Sequence, residues 1–123
     1  MSHEKFSVRK RLKSFGYAFN GFKVMLREEH NARIHLVVAV LAVALGIILR
    51  ISRPEWIFIA IVTGAVFTAE LFNSAIENLC DHLSPEKNSS IKKIKDLSAA
   101  AVLVTAIVAV VTGCLIFLPR IFG

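Results

Sequence analysis

Three runs of almost uninterrupted apolar residues, 34–51, 56–79 and 97–118, dominate the chain. A helix needs about 20 apolar residues to cross the hydrocarbon core of a bilayer. All three qualify, and little of the 123 residues is left for a soluble domain. With 55% hydrophobic residues in one short chain, an all-α membrane protein of a single domain, 1–123, is the natural expectation. Inside lipid, backbone N–H and C=O groups must pair within their own segment, so each span is read as a helix.

Ahead of the first span, residues 5–28 carry Val8, Leu12, Phe15, Phe19, Phe22 and Leu26 at alternating steps of four and three. That spacing makes one apolar helix face, with Arg9, Arg11, Lys13, Asn20, Lys23 and Arg27 around the rest. A basic, aromatic-rich helix of this kind lies in the membrane interface. Gly16 and Gly21 lower helix propensity and allow a bend there. No small-residue cleavage site follows a short apolar core, so this segment is expected to persist rather than be removed as a signal peptide.

Basic residues are distributed unevenly. Lys5, Arg9, Lys10, Arg11, Lys13, Lys23, Arg27 and Arg33 precede or open span 1, and Lys87, Lys92, Lys93 and Lys95 lie between spans 2 and 3. Only Arg50, Arg53 and Arg120 fall at the other ends. The positive-inside rule therefore puts the N-terminus and the 80–96 loop in the cytoplasm and the C-terminus outside. No separate basic domain interleaved with aromatics is present, which argues against nucleic acid as a partner. The short link Arg50-Ile-Ser-Arg-Pro-Glu55 makes spans 1 and 2 an antiparallel hairpin, with Pro54 suited to a helix start.

Span 2 is not uniformly apolar. Glu70, Asn73, Glu77 and Asp81 fall on one side of a helix at 100° per residue. Charge within a membrane is expensive, so such a stripe marks a functional site, the plainer reading being polar glue between helices. Seven residues at 1.5 Å rise separate Glu70 from Glu77 by roughly 10 Å of depth, so one metal ion cannot take both. Glu77 and Asp81 are near the surface, where a magnesium-bound phosphate can arrive, with Glu28 or Glu29 as a further ligand. Glu70, deeper, suits a general base for a hydroxyl presented at headgroup depth, and Asn73 can orient either group. Lys95 with Asp96 reads as a water-boundary flank or as a phosphate contact and its organiser. His35, Tyr17 and Trp56 read as interfacial residues.

Phosphate-loop, dinucleotide-loop and serine-nucleophile motifs are missing. Cys80 ends span 2 and Cys114 lies near the far end of span 3, so a bond between them would have to cross the bilayer and they are expected unpaired, and no zinc spacing occurs. A cation-coupled transporter using Glu70, or a non-enzymatic scaffold, remain rivals from other classes. Cytosolic clustering of Lys95, Asp96 and Glu29 favours a cytosolic cosubstrate over both.

The runs E-L-F-N-S-A-I-E-N-L-C-D at 70–81 and K-D-L-S-A-A-A-V-L at 95–103 resemble the signature of the small prokaryotic diacylglycerol kinase and undecaprenol kinase family of integral-membrane enzymes. The resemblance implies phosphorylation of a lipid alcohol by ATP with Mg²⁺, in a homotrimer of three-span subunits with shared active sites. It further implies Glu70 as catalytic base and Glu29 and Glu77 as metal-linked carboxylates. Asn73, Lys95 and Asp96 match further polar active-site positions, Lys95 among the cofactor-binding ones with Tyr17 and Glu86. The family's substrate-contacting arginine aligns with Lys10 or with Arg11. The N-x-x-x-H pattern ending at His35, the alanines after Asp96 and the tail Ile-Phe-Leu-Pro-Arg120 resemble the undecaprenol kinases more than the diacylglycerol kinases.

Overall fold

The computed structural model describes residues 5–86 and 88–123 and contains four helices: α1 Val8–Glu28, α2 His30–Leu49, α3 Arg53–Leu83 and α4 Ser89–Phe122. Lys87, counted above with the basic 80–96 loop, lies outside the described residues. No strand occurs among the described residues. By length and composition α2, α3 and α4 can each cross a membrane. All three extend beyond the hydrophobic runs at one or both ends, because capping groups and not hydropathy terminate them.

Ser7 caps α1, accepting a hydrogen bond from the Lys10 N–H at 3.4 Å. The helix continues through Gly16 and Gly21 without interruption, so neither glycine introduces a break. Its apolar face is not covered by the rest of the chain: Leu12, Phe15 and Phe19 are exposed, as an interfacial helix requires. α1 ends at Glu29, whose backbone is extended (φ −104°, ψ 110°) and whose N–H closes the last turn onto the Met25 carbonyl at 2.8 Å. That single extended residue separates the interfacial helix from the first span. Met25 and Ala32, on either side of it, are buried.

At the far end of α2, Arg50 takes the left-handed conformation (φ 52°, ψ 54°). The N–H groups of Arg50 and Ile51 then return to the Ile47 and Gly46 carbonyls, satisfying helix-end acceptors that would otherwise be orphaned. α3 opens on a capping box: Ser52 accepts from the Glu55 N–H while Glu55 Oε1 accepts from the Ser52 N–H at 2.9 Å. Glu55 also pairs with Arg120 near the end of α4. Gly46 lets the Trp56 ring lie against α2, since a Cβ there would come 2.7 Å from Trp56 Cη2. Ile51, Ile59, Ile116 and Phe117 form the buried cluster at this end, with Leu45, Leu49 and Trp56 against it.

α3 and α4 pack along much of their lengths as an antiparallel pair, and α2 touches both more sparsely. An apolar cleft of about 530 Å³ separates α2 from that pair. It stays open because Ala39 and Ala42 of α2 and Ala106, Ala109 and Gly113 of α4, which line it, are too small to fill it. His35 lies on its wall near the start of α2.

Candidate active site

Burial falls steadily along the polar stripe of α3. Glu70 is completely inaccessible and Asn73 nearly so, Glu77 is half-buried and Asp81 is exposed. The gradient follows the separation in depth that the sequence predicts. α2 and α4 of the same chain cover Glu70 and Asn73, while Glu77 and Asp81 stay partly or fully open.

Each buried group is met by a different element. The Ser98 hydroxyl on α4 donates to Asn73 Oδ1 at 2.6 Å. From α2, His35 Nε2 approaches Glu70 Oε1 to 3.4 Å, yet neither carboxylate oxygen of Glu70 has a hydrogen-bond partner. Glu77 meets Glu29, and the two carboxyl groups share a hydrogen bond. Glu29 is pushed from its ordinary 4.5 up to about 7, chiefly by desolvation, then by the hydrogen bond and charge of Glu77, with Glu70 and Glu28 adding repulsion. The Asn78 amide fastens α1 to α3, donating to Glu28 Oε2 at 2.9 Å and to the Ser74 carbonyl at 2.8 Å. Extended backbone at Glu29 and the Asn78 clip together hold Glu29, rather than Glu28, against Glu77.

The cations are organised differently from the sequence reading. Lys95 pairs with Asp81 at 2.6 Å across α3 and α4, while Asp96 is taken by Lys92 at 2.5 Å along α4. Adjacent residues on a helix point about 100° apart, so Asp96 does not organise Lys95. Lys95 is close enough to feel the charge of Glu77. Tyr17 is exposed on α1, and Glu86 is exposed in the α3–α4 loop, where its carbonyl accepts from Ser84 Oγ at 3.0 Å. Neither is brought to the carboxylates. Arg11 lies over the Phe6 ring, 5.7 Å from its centroid.

His35, Ser98 and Asn78 were not singled out from the sequence as site residues. Ser98 is one turn beyond Lys95 and Asn78 adjoins Glu77, so proximity to the motif residues was the available signal. His35 carries only the N-x-x-x-H pattern, which says nothing of a contact with Glu70 on another helix. Cys80 and Cys114 are unpaired, as expected.

Among the described residues no group of three or more His, Cys, Asp or Glu forms a metal cage. Mg²⁺ needs none, because it usually binds one or two carboxylates and completes its octahedron with phosphate oxygens and water. Two carboxylates that share a proton fit that donor set, since a cation between them relieves the same repulsion.

Three helices long and apolar enough to cross a membrane, with a fully buried carboxylate and a carboxylate pair near Lys95, make this a multi-pass membrane protein with an acidic site. The chain belongs to the prokaryotic diacylglycerol kinase family, which it matches over residues 16–117. It is 35% identical to the undecaprenol kinase of Bacillus subtilis (strain 168) over 109 residues, 89% of each chain. Identity to the diacylglycerol kinase of Pseudomonas aeruginosa (strain PAO1) is 33% over 107 residues, 87% of each chain. With the diacylglycerol kinase of Escherichia coli (strain K12) it is 30% over 105 residues, 85% of this chain and 86% of the other. The protein is thus a lipid kinase, and ATP is the phosphate donor that kinase chemistry implies.

Proposed function

We propose that this kinase transfers the γ-phosphate of ATP to the hydroxyl of undecaprenol at the cytoplasmic side of a bacterial inner membrane, with Mg²⁺ held by Glu29 and Glu77. The observation that carries the reading is the contact of Glu29 with Glu77 above a fully buried Glu70. Two different tasks are divided between two depths. Glu70 takes the proton of the acceptor hydroxyl, and Asn73, fixed by Ser98, orients the reacting groups. Lys95 exchanges Asp81 for the phosphate, whose charge it offsets, and Asp96 keeps Lys92 beside it. Mg²⁺, when bound, neutralises phosphate oxygens and aligns the leaving group. Positioning and charge stabilisation of this kind suffice for phosphoryl transfer without a P-loop. Tyr17 and Glu86 are assigned to the nucleotide, and Lys10 or Arg11 to the acceptor.

Undecaprenol is preferred over diacylglycerol on two grounds. One is the similarity to the undecaprenol kinase of Bacillus subtilis. The other is the cleft, whose walls are apolar apart from His35, Thr63 and Cys114, as suits a hydrocarbon chain without ester groups. Orientation is supported by twelve basic residues on one side and three on the other. A homotrimer with shared sites follows from the family resemblance, and open space beside Gly64 leaves room for close approach of a neighbouring helix.

The test is reconstitution of the purified protein in vesicles with labelled ATP and either undecaprenol or diacylglycerol. Faster labelling of undecaprenol is expected. Faster labelling of diacylglycerol would reassign the acceptor, and cation uptake without lipid labelling would replace the kinase reading by the transporter.

A further inference from the structure

His35 is the polar group that the fold brings to the buried base. Among the described residues its Nε2 is the cationic or basic atom paired with Glu70, 3.4 Å from Oε1. Even with the imidazole this close, neither oxygen of the buried carboxylate has a hydrogen-bond partner, an arrangement native proteins retain only for a reason. The imidazole has a second neighbour of a different kind, since it also lines the apolar cleft between α2 and the α3–α4 pair. With its side chain 22% exposed, it touches the base, the cleft and water together. The charge beside it is Glu70, which in turn feels Glu77 on α3 and Glu29 at the α1–α2 junction, while α4 contributes Ser98, whose hydroxyl is committed to Asn73.

We propose that His35 is a proton-relay residue of the kinase reaction, its Nε2 standing beside Glu70 Oε1 at the mouth of the cleft and accepting there the proton that Glu70 removes. The inference rests on the lipid kinase reading above. In the step, the O–H bond of the acceptor breaks and its proton goes to Glu70. The freed oxygen pair forms a bond to the γ-phosphorus, and the bond from that phosphorus to the bridging oxygen breaks, its electrons leaving with ADP. Glu70 passes the proton to His35, which releases it to water. Lipid phosphate, ADP and one proton are the products, and Glu70 is ionised again for the next turnover.

Glutamine and alanine replacements test the relay. An amide at 35 keeps a polar group beside the carboxylate but cannot take a proton, and alanine leaves space for added imidazole. In vesicles with labelled ATP and undecaprenol, His35→Gln should lose about 100-fold in kcat, the scale of a lost general acid–base group, with KM for ATP unchanged. Added imidazole should restore a measurable part of kcat to His35→Ala and none to Glu70→Gln. Wild-type kcat in His35→Gln, or no response of His35→Ala to imidazole, overturns the relay. Wild-type protein that labels no lipid overturns the kinase reading and this inference with it, whereas a labelling wild type with an unimpaired glutamine variant overturns this inference alone.

Discussion

Replacing Glu77 by glutamine should change how pH governs the use of magnesium. In the native chain burial and then Glu77 hold Glu29 up at about 7 instead of 4.5. A carboxylate must lose its proton before it binds a metal. A group titrating at about 7 is about one-tenth ionised at roughly pH 6 and about nine-tenths at roughly pH 8, so apparent Mg²⁺ affinity should rise about tenfold across that window. Glu77→Gln removes the like charge and leaves an amide able to donate to Glu29. Glu29 then loses the part of its upward shift that Glu77 supplies and keeps the part due to burial, so the pH dependence moves lower, while loss of one ligand weakens binding at every pH. The assay is the Mg²⁺ midpoint of ATP turnover in vesicles across the window, for both proteins. Wild-type midpoints that stay level, or a variant whose midpoints follow the wild type, would refute the pairing of these two carboxylates.

The same linkage acts on stability. A carboxyl raised above its ordinary value binds its proton more tightly when folded, so the metal-free fold is favoured below 4.5 and loses that contribution as pH rises through about 7; thermal unfolding in detergent across this range, with and without Mg²⁺, checks the sign. Glu70→Gln should lower lipid phosphorylation by about 100-fold or more and leave the Mg²⁺ midpoint unmoved, and a fully active variant would place the base elsewhere. Gly46→Ala should destabilise the hairpin end by about 1–3 kcal/mol through overpacking against Trp56. Gly64→Ala meets nothing within 4 Å in its own chain, so it should leave subunit unfolding unchanged, and a melting temperature equally insensitive to both changes would contradict the Trp56 contact. Ser98→Ala strands Asn73 Oδ1 without its donor, an expected loss of about 1–3 kcal/mol, with reduced turnover; wild-type stability and turnover would show that the pair is idle.

The spans, the surface helix and the hairpin between α2 and α3 were legible because hydropathy and periodicity are local properties. So was the side of α3 that carries Glu70, Asn73 and Glu77, since one helix sets the relative directions of its own side chains. The helix ends were less legible. Ser52 with Glu55 and Asn88 with Ile91 extend α3 and α4 past their apolar runs through cap hydrogen bonds, which hydropathy does not register. A left-handed Arg50 has no glycine to announce it.

From the sequence alone, then, came the number and order of helices, the membrane as solvent, and the residue types able to do phosphoryl chemistry at two depths. Tertiary structure decided which of those residues meet. Rotation of α2 about its axis puts His35 rather than a hydrocarbon side chain beside Glu70. The extended residue at 29 turns Glu29, not Glu28, onto Glu77, and the offset between α3 and α4 gives Lys95 to Asp81 and Ser98 to Asn73. Each pairing joins different helices, and periodicity within one helix carries no information about the rotation and offset of the next.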